Sequence, residues 1–492
     1  MPVNTLALPA KLSVLFVTSE IYPLVKTGGL ADVSAALPAA LRHQGMDARI
    51  LVPGYPQILA AFKIKWVVAT GLFEFGEARL LSALLPDSDV PLYIIDCPAL
   101  YQREGGPYQD NHGNDWVDNA LRFALLSRFA ALLGSDESPL TWRPDVIHCN
   151  DWQAGLAPAY LHYLRGKKAA TVMTIHNLAY QGVFPSSLVT QLGLPMESYS
   201  MHGVEYFGHL SFLKAGLHYA DRITTVSPTY AEEIQDETLG FGMQGLLAQR
   251  SDQLSGILNG IDEEQWNPAN DRYLGSHFDA DHLEGKAECK RALQRRLGLE
   301  MNDKLPILAV ISRLTHQKGL DLVLEAATDL IKLPTQLAIL GSGDSGLELA
   351  FRLLAQDHPG KASVTIGYDE GLAHQIEAGA DIFLMPSRFE PCGLNQMYSM
   401  RYGTPPVVFA TGGLADTVVD LTDKTLADSS ATGFVFDKMK PSSLAECVKK
   451  AVSAYGNKKT WRRLQQNGMS RDFSWDHSAK EYIALYRQLV PD

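Results

Sequence analysis

Short apolar runs rich in β-branched residues alternate with helix-length amphipathic segments along almost the whole chain. That rhythm is the pattern of βα units feeding a parallel sheet. The runs in the first half are SVLFVTS, ARILVP, LYIIDCP, DVIHCN, TVMTIHN and RITTVS; those in the second are PILAVIS, QLAILGSG, SVTIGY, DIFLMPS, PVVFATGG and GFVFD. A chain of 492 residues also exceeds what one core organises. Two doubly wound α/β domains follow. The boundary is expected in LSGILNGIDEEQWNPAND, where a short strand runs into a cluster of Gly, Asn, Asp and Pro. This gives a Rossmann-like domain over 1–254, a second over 255–470, and a C-terminal helix within 471–492.

The hexapeptide Thr27-Gly28-Gly29-Leu30-Ala31-Asp32 returns letter for letter as Thr411-Gly412-Gly413-Leu414-Ala415-Asp416. Both copies fall between a strand and a helix, so each puts paired glycines at a helix N-terminus. There, free N–H groups and the helix dipole favour an anion, and loops at the carboxyl ends of parallel strands are where ligands bind. For either copy alone, a tight turn followed by a favourable first-turn acid explains the letters equally well. An identical pair in two domains favours functional loops facing a shared cleft. Lys26 precedes the first pair, and SRLTHQKGLD places Arg313 and Lys318 after the first strand of the second domain. Solvated surface cations are the plain reading of each; three at strand ends beside glycines point to a phosphate-bearing ligand, a diphosphate.

Composition excludes other classes. With 43 Lys and Arg against 55 Asp and Glu, the net charge is -12 and no basic stripe suits nucleic acid. Five scattered cysteines, Cys97, Cys149, Cys289, Cys392 and Cys447, form neither a disulfide scaffold nor a zinc site, which suits reducing cytosol. The opening MPVNTLALPAK lacks the charged region of a leader, and no apolar stretch reaches the roughly 20 residues of a membrane span. The D-x-D sequences Asp87-Ser88-Asp89 and Asp279-Ala280-Asp281 read as turns, so no metal is expected. Gly341, Gly343 and Gly346 satisfy G-x-G-x-x-G, the fingerprint of a nucleotide-dependent oxidoreductase. They follow the second strand of their domain rather than the first, and no acid lies at the ribose distance.

The segments KTGGLADV, HCNDWQAGLAPAYL, TIHNLAYQG, ADRITTVSPTYAEEI, GILNGID, SRLTHQKGLDLV and PSRFEPCGLNQMYSMRYGT resemble, in order and over essentially the whole chain, the bacterial glycogen synthases and related starch synthases. The resemblance implies a GT-B architecture, with two Rossmann-like domains facing a deep interdomain cleft and a C-terminal helix packing back across the interdomain region. It implies transfer of glucose from ADP-glucose to the non-reducing end of glycogen or another α-1,4-glucan, with retention of configuration and without cofactor or metal. Carried over by residue, it makes Lys26, Gly28 and Gly29 part of the donor site, with Asp32 near the ribose. Arg313 and Lys318 match the pair neutralising the departing diphosphate, and Tyr368 packs near adenine. His176, Asp151 and Asn259 surround the transferred glucose, while Glu390, Cys392 and Gly393 meet its hydroxyls.

Those residue types suit the chemistry. Breaking a glycosyl-phosphate bond leaves negative charge on the diphosphate and positive charge on the sugar, so cations belong at one end and carboxylates near the other. Structural alternatives stand beside each role: Asp151 and Glu390 as helix caps, Cys392 as buried filler, His176 as a satisfied structural histidine. Three positions depart from patterns common in the family or among wider GT-B retaining enzymes. Asn150 stands where many members carry His, Asn395 where Thr is common, and Tyr398 where wider enzymes place a second Glu. The rival classes are a GT-B phosphorylase, for which no lysine has a cofactor-anchoring context, the oxidoreductase above, and a non-enzymatic glucan-binding protein.

Overall fold

The computed structural model describes residues 11–62, 66–73, 76–86 and 88–490. The segment 1–10 read for a leader, and Asp87 of the first D-x-D, lie outside them. The chain forms two compact units: Met1–Val226, Ala231–Leu258 and Trp475–Asp492 make the first, and Ser227–Tyr230 with Asn259–Ser474 make the second.

The first unit carries strands β1 (Ser13–Val17), β2 (Asp47–Pro53), β3 (Trp66–Phe73), β4 (Gly76–Leu84), β5 (Pro91–Asp96), β6 (Val146–Asn150), β7 (Ala170–Ile175), β8 (Val183–Pro185), β9 (Glu205–Tyr206), β10 (His209–Ser211), β11 (Arg222–Thr225) and β12 (Leu254–Gly256). Among the described residues, nine of them form one sheet in the order β12-β11-β7-β6-β1-β2-β5-β4-β3. The pairs from β12 to β5 are parallel, while β4 and β3 add an antiparallel edge. Val14, Leu15, Phe16 and Val17 are all buried, as expected of a central strand covered on both faces. The β3–β4 edge went unforeseen because β4 alternates instead, burying Ala78 and Leu80 and exposing Glu77 and Arg79. The antiparallel β8-β10-β9 sheet has strands of two or three residues, too short to show a period.

The helix Trp475–Leu489 closes the first unit. It packs along the helix Gly29–His43, where Gln44 Nε2 donates to the Asp476 carbonyl at 2.7 Å. Its buried Tyr486 hydroxyl lies 2.7 Å from His148 Nδ1 on β6, and Ser478 Oγ donates to the Leu258 carbonyl at 2.6 Å.

The second unit carries β13 (Ile307–Ile311), β14 (Gln336–Gly341), β15 (Ala362–Ile366), β16 (Ile382–Met385), β17 (Pro406–Phe409) and β18 (Phe434–Phe436). All are parallel, ordered β15-β14-β13-β16-β17-β18. Leu308, Val310, Ile339, Leu384 and Val407 pack against Val323 and Leu330 of the helix Leu320–Lys332 and Val448 of the helix Pro441–Gly456.

Each sheet therefore reverses its strand order once. The first does so between β1 and β6, the second between β13 and β16. The loops leaving the carboxyl ends of the strands at such a reversal are the usual ligand position in this architecture. Among the described residues, no helix is long and apolar enough to cross a membrane.

Candidate functional site

In the first unit, β1, β6 and β7 are neighbours, and their carboxyl ends present Glu20, Asp151 and His176. Asp151 adopts a backbone φ of +54°, a costly conformation for a non-glycine residue and one that clusters at functional sites. It makes no side-chain cap to the turn Trp152–Ala154. Its Oδ1 instead accepts the His176 amide at 2.7 Å and the Asn177 amide at 3.4 Å. Burial drives its carboxyl up to about 7, with a smaller push from Glu20, against the pull of those two amides.

His176 is half-buried, and burial holds its imidazole neutral, down to about 3. Its Nε2 lies 2.9 Å from Asn150 Oδ1. The Asn150 amide has one orientation, because Nδ2 donates to the Val17 carbonyl at 3.0 Å and to the His148 carbonyl at 3.2 Å. Oδ1 can only accept, so His176 carries its proton on Nε2 and keeps Nδ1 as a lone-pair acceptor. The departure from His at position 150 thus fixes a tautomer that a second imidazole would leave open.

The first hexapeptide is organised by a residue that the motifs did not single out. Glu20 is buried and accepts from the Thr27 amide and hydroxyl, both at 2.6 Å, from the Gly28 amide at 3.2 Å and from the Tyr108 hydroxyl at 2.5 Å. The amides of Thr27 and Gly28 are therefore already engaged by a carboxylate. Gly29 opens the helix Gly29–His43, whose first-turn amides lie beyond any intrahelical partner. Lys26 and Asp32 flank this turn and pair with each other at 2.8 Å.

The second hexapeptide does different work. A Cβ on Gly412 would lie 2.1 Å from the Glu390 carbonyl oxygen, and one on Gly413 2.0 Å from that of Cys392. Glycine here lets the strand-to-helix turn support the FEPCG loop from beneath. Asp416 accepts from the Thr229 amide at 3.0 Å and hydroxyl at 2.6 Å.

In the second unit, Arg313, Lys318, Glu390, Gly393 and Asn395 line one cavity of about 170 Å3 at the β13/β16 reversal. Lys318 Nζ lies 2.5 Å from Glu390 Oε2, which also accepts from Ser387 Oγ at 3.0 Å. Charge-assisted bonds of this kind are the strong ones. It caps no helix, since the next one starts at Asn395. Asn395 Nδ2 donates to the Ile311 carbonyl at 2.7 Å and ties that helix to the end of β13.

Arg388 sets the spacing of these loops. It grips both oxygens of Asp321 at 2.7 Å, and its Nη1 also donates to the His316 carbonyl at 2.6 Å. The Arg313–Lys318 segment is thereby fastened to the Ser387–Glu390 segment. Both residues stand inside quoted motifs, but a pairing 67 positions apart leaves no trace in sequence.

Cys392 is buried, and burial pushes its thiol up to about 12, so it behaves as a small apolar filler beside the Asn259 backbone. The buried Asn259 Oδ1 has no hydrogen-bond partner among the described residues, an expensive arrangement unless a ligand supplies one. Tyr368, past the end of β15, is 79% exposed and lies outside the cavity lining. The G-x-G-x-x-G glycines serve packing: a Cβ on Gly341 would lie 1.9 Å from the Ser312 carbonyl oxygen, and the Gly343 amide donates to Glu348 at 2.9 Å. Among the described residues, no group of three or more His, Cys, Asp or Glu could hold a metal ion.

Residues 13–249 match the starch synthase catalytic domain family, and residues 295–471 match glycosyl transferases group 1. The glycogen synthase of Nitrosomonas eutropha is 60% identical over 482 residues, covering 97% of this chain and 96% of that protein. The glycogen synthase of Nitrosospira multiformis is 58% identical, covering 97% of each. The chain belongs to the glycogen synthase family. Among solved structures, the catalytic domain of starch synthase IV from Arabidopsis thaliana, bound to ADP and acarbose, superposes with a TM-score of 0.86 at 32% identity, covering 98% of this chain and all of that one. Sucrose-phosphate synthase from Thermosynechococcus elongatus, at 17% identity and a TM-score of 0.60, shares the fold. The fold is GT-B and the chain is a glycosyltransferase, a glycogen synthase in activity rather than a phosphorylase or an oxidoreductase.

Proposed function

We propose that this chain transfers glucose from ADP-glucose to the non-reducing end of an α-1,4-glucan such as glycogen, with retention of configuration and without metal or organic cofactor. The observation that carries the residue assignment is the Lys318–Glu390 pair beside Arg313 in the cavity at the β13/β16 reversal. Arg313 and Lys318 neutralise the diphosphate as the glycosyl bond breaks, the step at which fixed charge acts most strongly. Glu390, paired with Lys318, orients the sugar and offsets its developing positive charge. Asp151 does the same, and its Oδ1, accepting from the His176 amide, holds that histidine in place. His176 accepts a sugar hydroxyl at Nδ1. Asn259 donates or accepts at the glucose, with Gly393 leaving room there and Cys392 shaping the wall. Tyr368 covers the adenine. Lys26, Asp32 and the Gly28-Gly29 turn complete the donor site, with Asp32 toward the ribose. The acceptor hydroxyl enters on the face from which the diphosphate leaves, and a diphosphate oxygen takes its proton. ADP in the starch synthase IV structure supports the adenine nucleotide. The five described cysteines are free and buried, in keeping with cytoplasmic work.

Radiolabelled ADP-glucose and UDP-glucose offered in parallel with glycogen test the reading. Label is expected to enter glycogen from ADP-glucose in preference, and EDTA is expected to leave the rate unchanged. Incorporation from neither donor would refute it. A slow fluorinated donor is expected to leave Glu390 unmodified by mass spectrometry; a trapped glycosyl-Glu390 would make that residue a nucleophile.

A further inference from the structure

Two turns of the first unit hold aromatic residues where the backbone disfavours them. Phe207 and Gly208 form the two-residue turn between β9 and β10, with φ of 47° and 80°. This mirror-image turn favours Asn, Asp or Gly at its first position. Phe241 and Gly242 repeat the pattern, at 46° and 83°. The two turns are clasped together. The Tyr206 hydroxyl and Gln181 Nε2 both donate to the Phe241 carbonyl, at 2.6 and 2.8 Å. A Cβ on Gly242 would lie 3.2 Å from the Phe207 ring.

Phe207 is not repaid by burial, being 77% exposed; Phe241 keeps 37% of its surface exposed, and Tyr180 and Val183 are exposed as well. Strained backbone persists where the surroundings enforce it and function uses it, and a contiguous exposed apolar patch marks a binding surface. The patch follows the His176 loop along the chain. Tyr180 lies four residues past His176, its amide donates to the Asn177 carbonyl at 3.2 Å, and Gln181 then bridges to Phe241.

The geometry points to a platform for internal glucose units of the acceptor chain, built by Phe207 and Phe241 and approached along Tyr180. This rests on the α-1,4-glucan acceptor proposed above. The occupant follows from the surface. A glucan is neutral, and the Glu205 carboxylate beside the Phe207 turn is already bonded to the Gly208 amide at 2.8 Å. Pyranose rings offer apolar faces to aromatic ones and hydroxyls to Gln181 and Tyr206.

Phe207→Asn places the favoured residue in the turn and is expected to fold with an unchanged or raised Tm, so the ring's removal is read without loss of structure. In a native gel containing glycogen, the variant is expected to be retarded about five-fold less than the parent, and the ratio of KM for glycogen to KM for maltotriose to rise about five-fold, as for losing one aromatic contact. Unchanged retardation and KM ratio in a folded Phe207→Asn would overturn the inference. So would a change in oligomeric state by light scattering with retardation unaltered, which would mark the patch as a contact between copies. A parent protein that transfers glucose to no glucan would refute the proposed function itself, whereas an active parent with an indifferent variant refutes only the platform.

Discussion

Lys318→Ala is expected to lower kcat by about two orders of magnitude, roughly 3 kcal/mol, by analogy with the loss of one transition-state hydrogen-bond donor. The loss has two sources on the page. A cation that would meet the departing diphosphate is gone, and the buried Glu390 carboxylate, paired with it at 2.5 Å, is left with Ser387 alone and repels the same diphosphate. Breaking one partner of a buried pair costs more than removing both. Glu390→Gln should therefore partly rescue the Lys318→Ala background, while on its own it should lower kcat and leave ADP affinity nearly unchanged. Steady-state kinetics on the three variants, with calorimetric ADP titrations, check the cycle. Strict additivity of the two single effects would contradict the pairing.

Asp151→Asn is expected to cost about a hundred-fold in kcat while making the protein more stable at pH 8. The sign follows from the raised carboxyl, about 7 in the fold against an ordinary 3.8. The folded state binds this proton more tightly than the unfolded chain. The stabilisation is complete below pH 3.8 and is lost as pH rises through about 7. Above that, the site bears a buried charge that the amide variant lacks, worth on the order of 2–4 kcal/mol. The amide oxygen of Asn can still accept from the His176 backbone, so the loop keeps its anchor. Calorimetric Tm at pH 5 and pH 8 should show the gap widening with pH. His148 and His176, both held down to about 3 by burial, act in the opposite window: their contribution is present above about pH 6.5 and is lost as pH falls toward 3. If the ionised Asp151 is the working form, parent activity should rise through about pH 7 from the acid side, and that limb should vanish in the variant.

Twelve of the thirteen parallel-paired strands were legible as short runs rich in apolar and β-branched residues, and the central ones, such as β1, β6, β14 and β16, are buried on both faces. β4 alternates, β3 exposes Trp66, Val67 and Val68 in succession at the sheet edge, and the β8-β10-β9 strands are too short for any periodicity. At the site, sequence could nominate Arg313, Lys318 and Glu390 from motif and charge, and the fold gathers those three in one cavity. It could not show that Glu20 occupies the first glycine turn's amides, that Arg388 clamps Asp321, or that Asn150 fixes the His176 tautomer. Each depends on side chains brought together from distant strands. Glu20 did leave one sign, an acid directly after an apolar strand at the ligand-binding edge. In the repeated hexapeptide, identical letters organise an exposed turn around Glu20 in one unit and a backbone-to-backbone contact beneath Glu390 in the other.

Glucose transfer itself can be watched by proton NMR, with ADP-glucose and a short α-1,4-glucan in one tube and the anomeric region recorded through the reaction. The account predicts loss of the ADP-glucose anomeric signal, matching growth of a new internal α-1,4 signal, and no β-anomeric intermediate or product. A β-linked product, or consumption of ADP-glucose to free glucose with the acceptor unchanged, would contradict it.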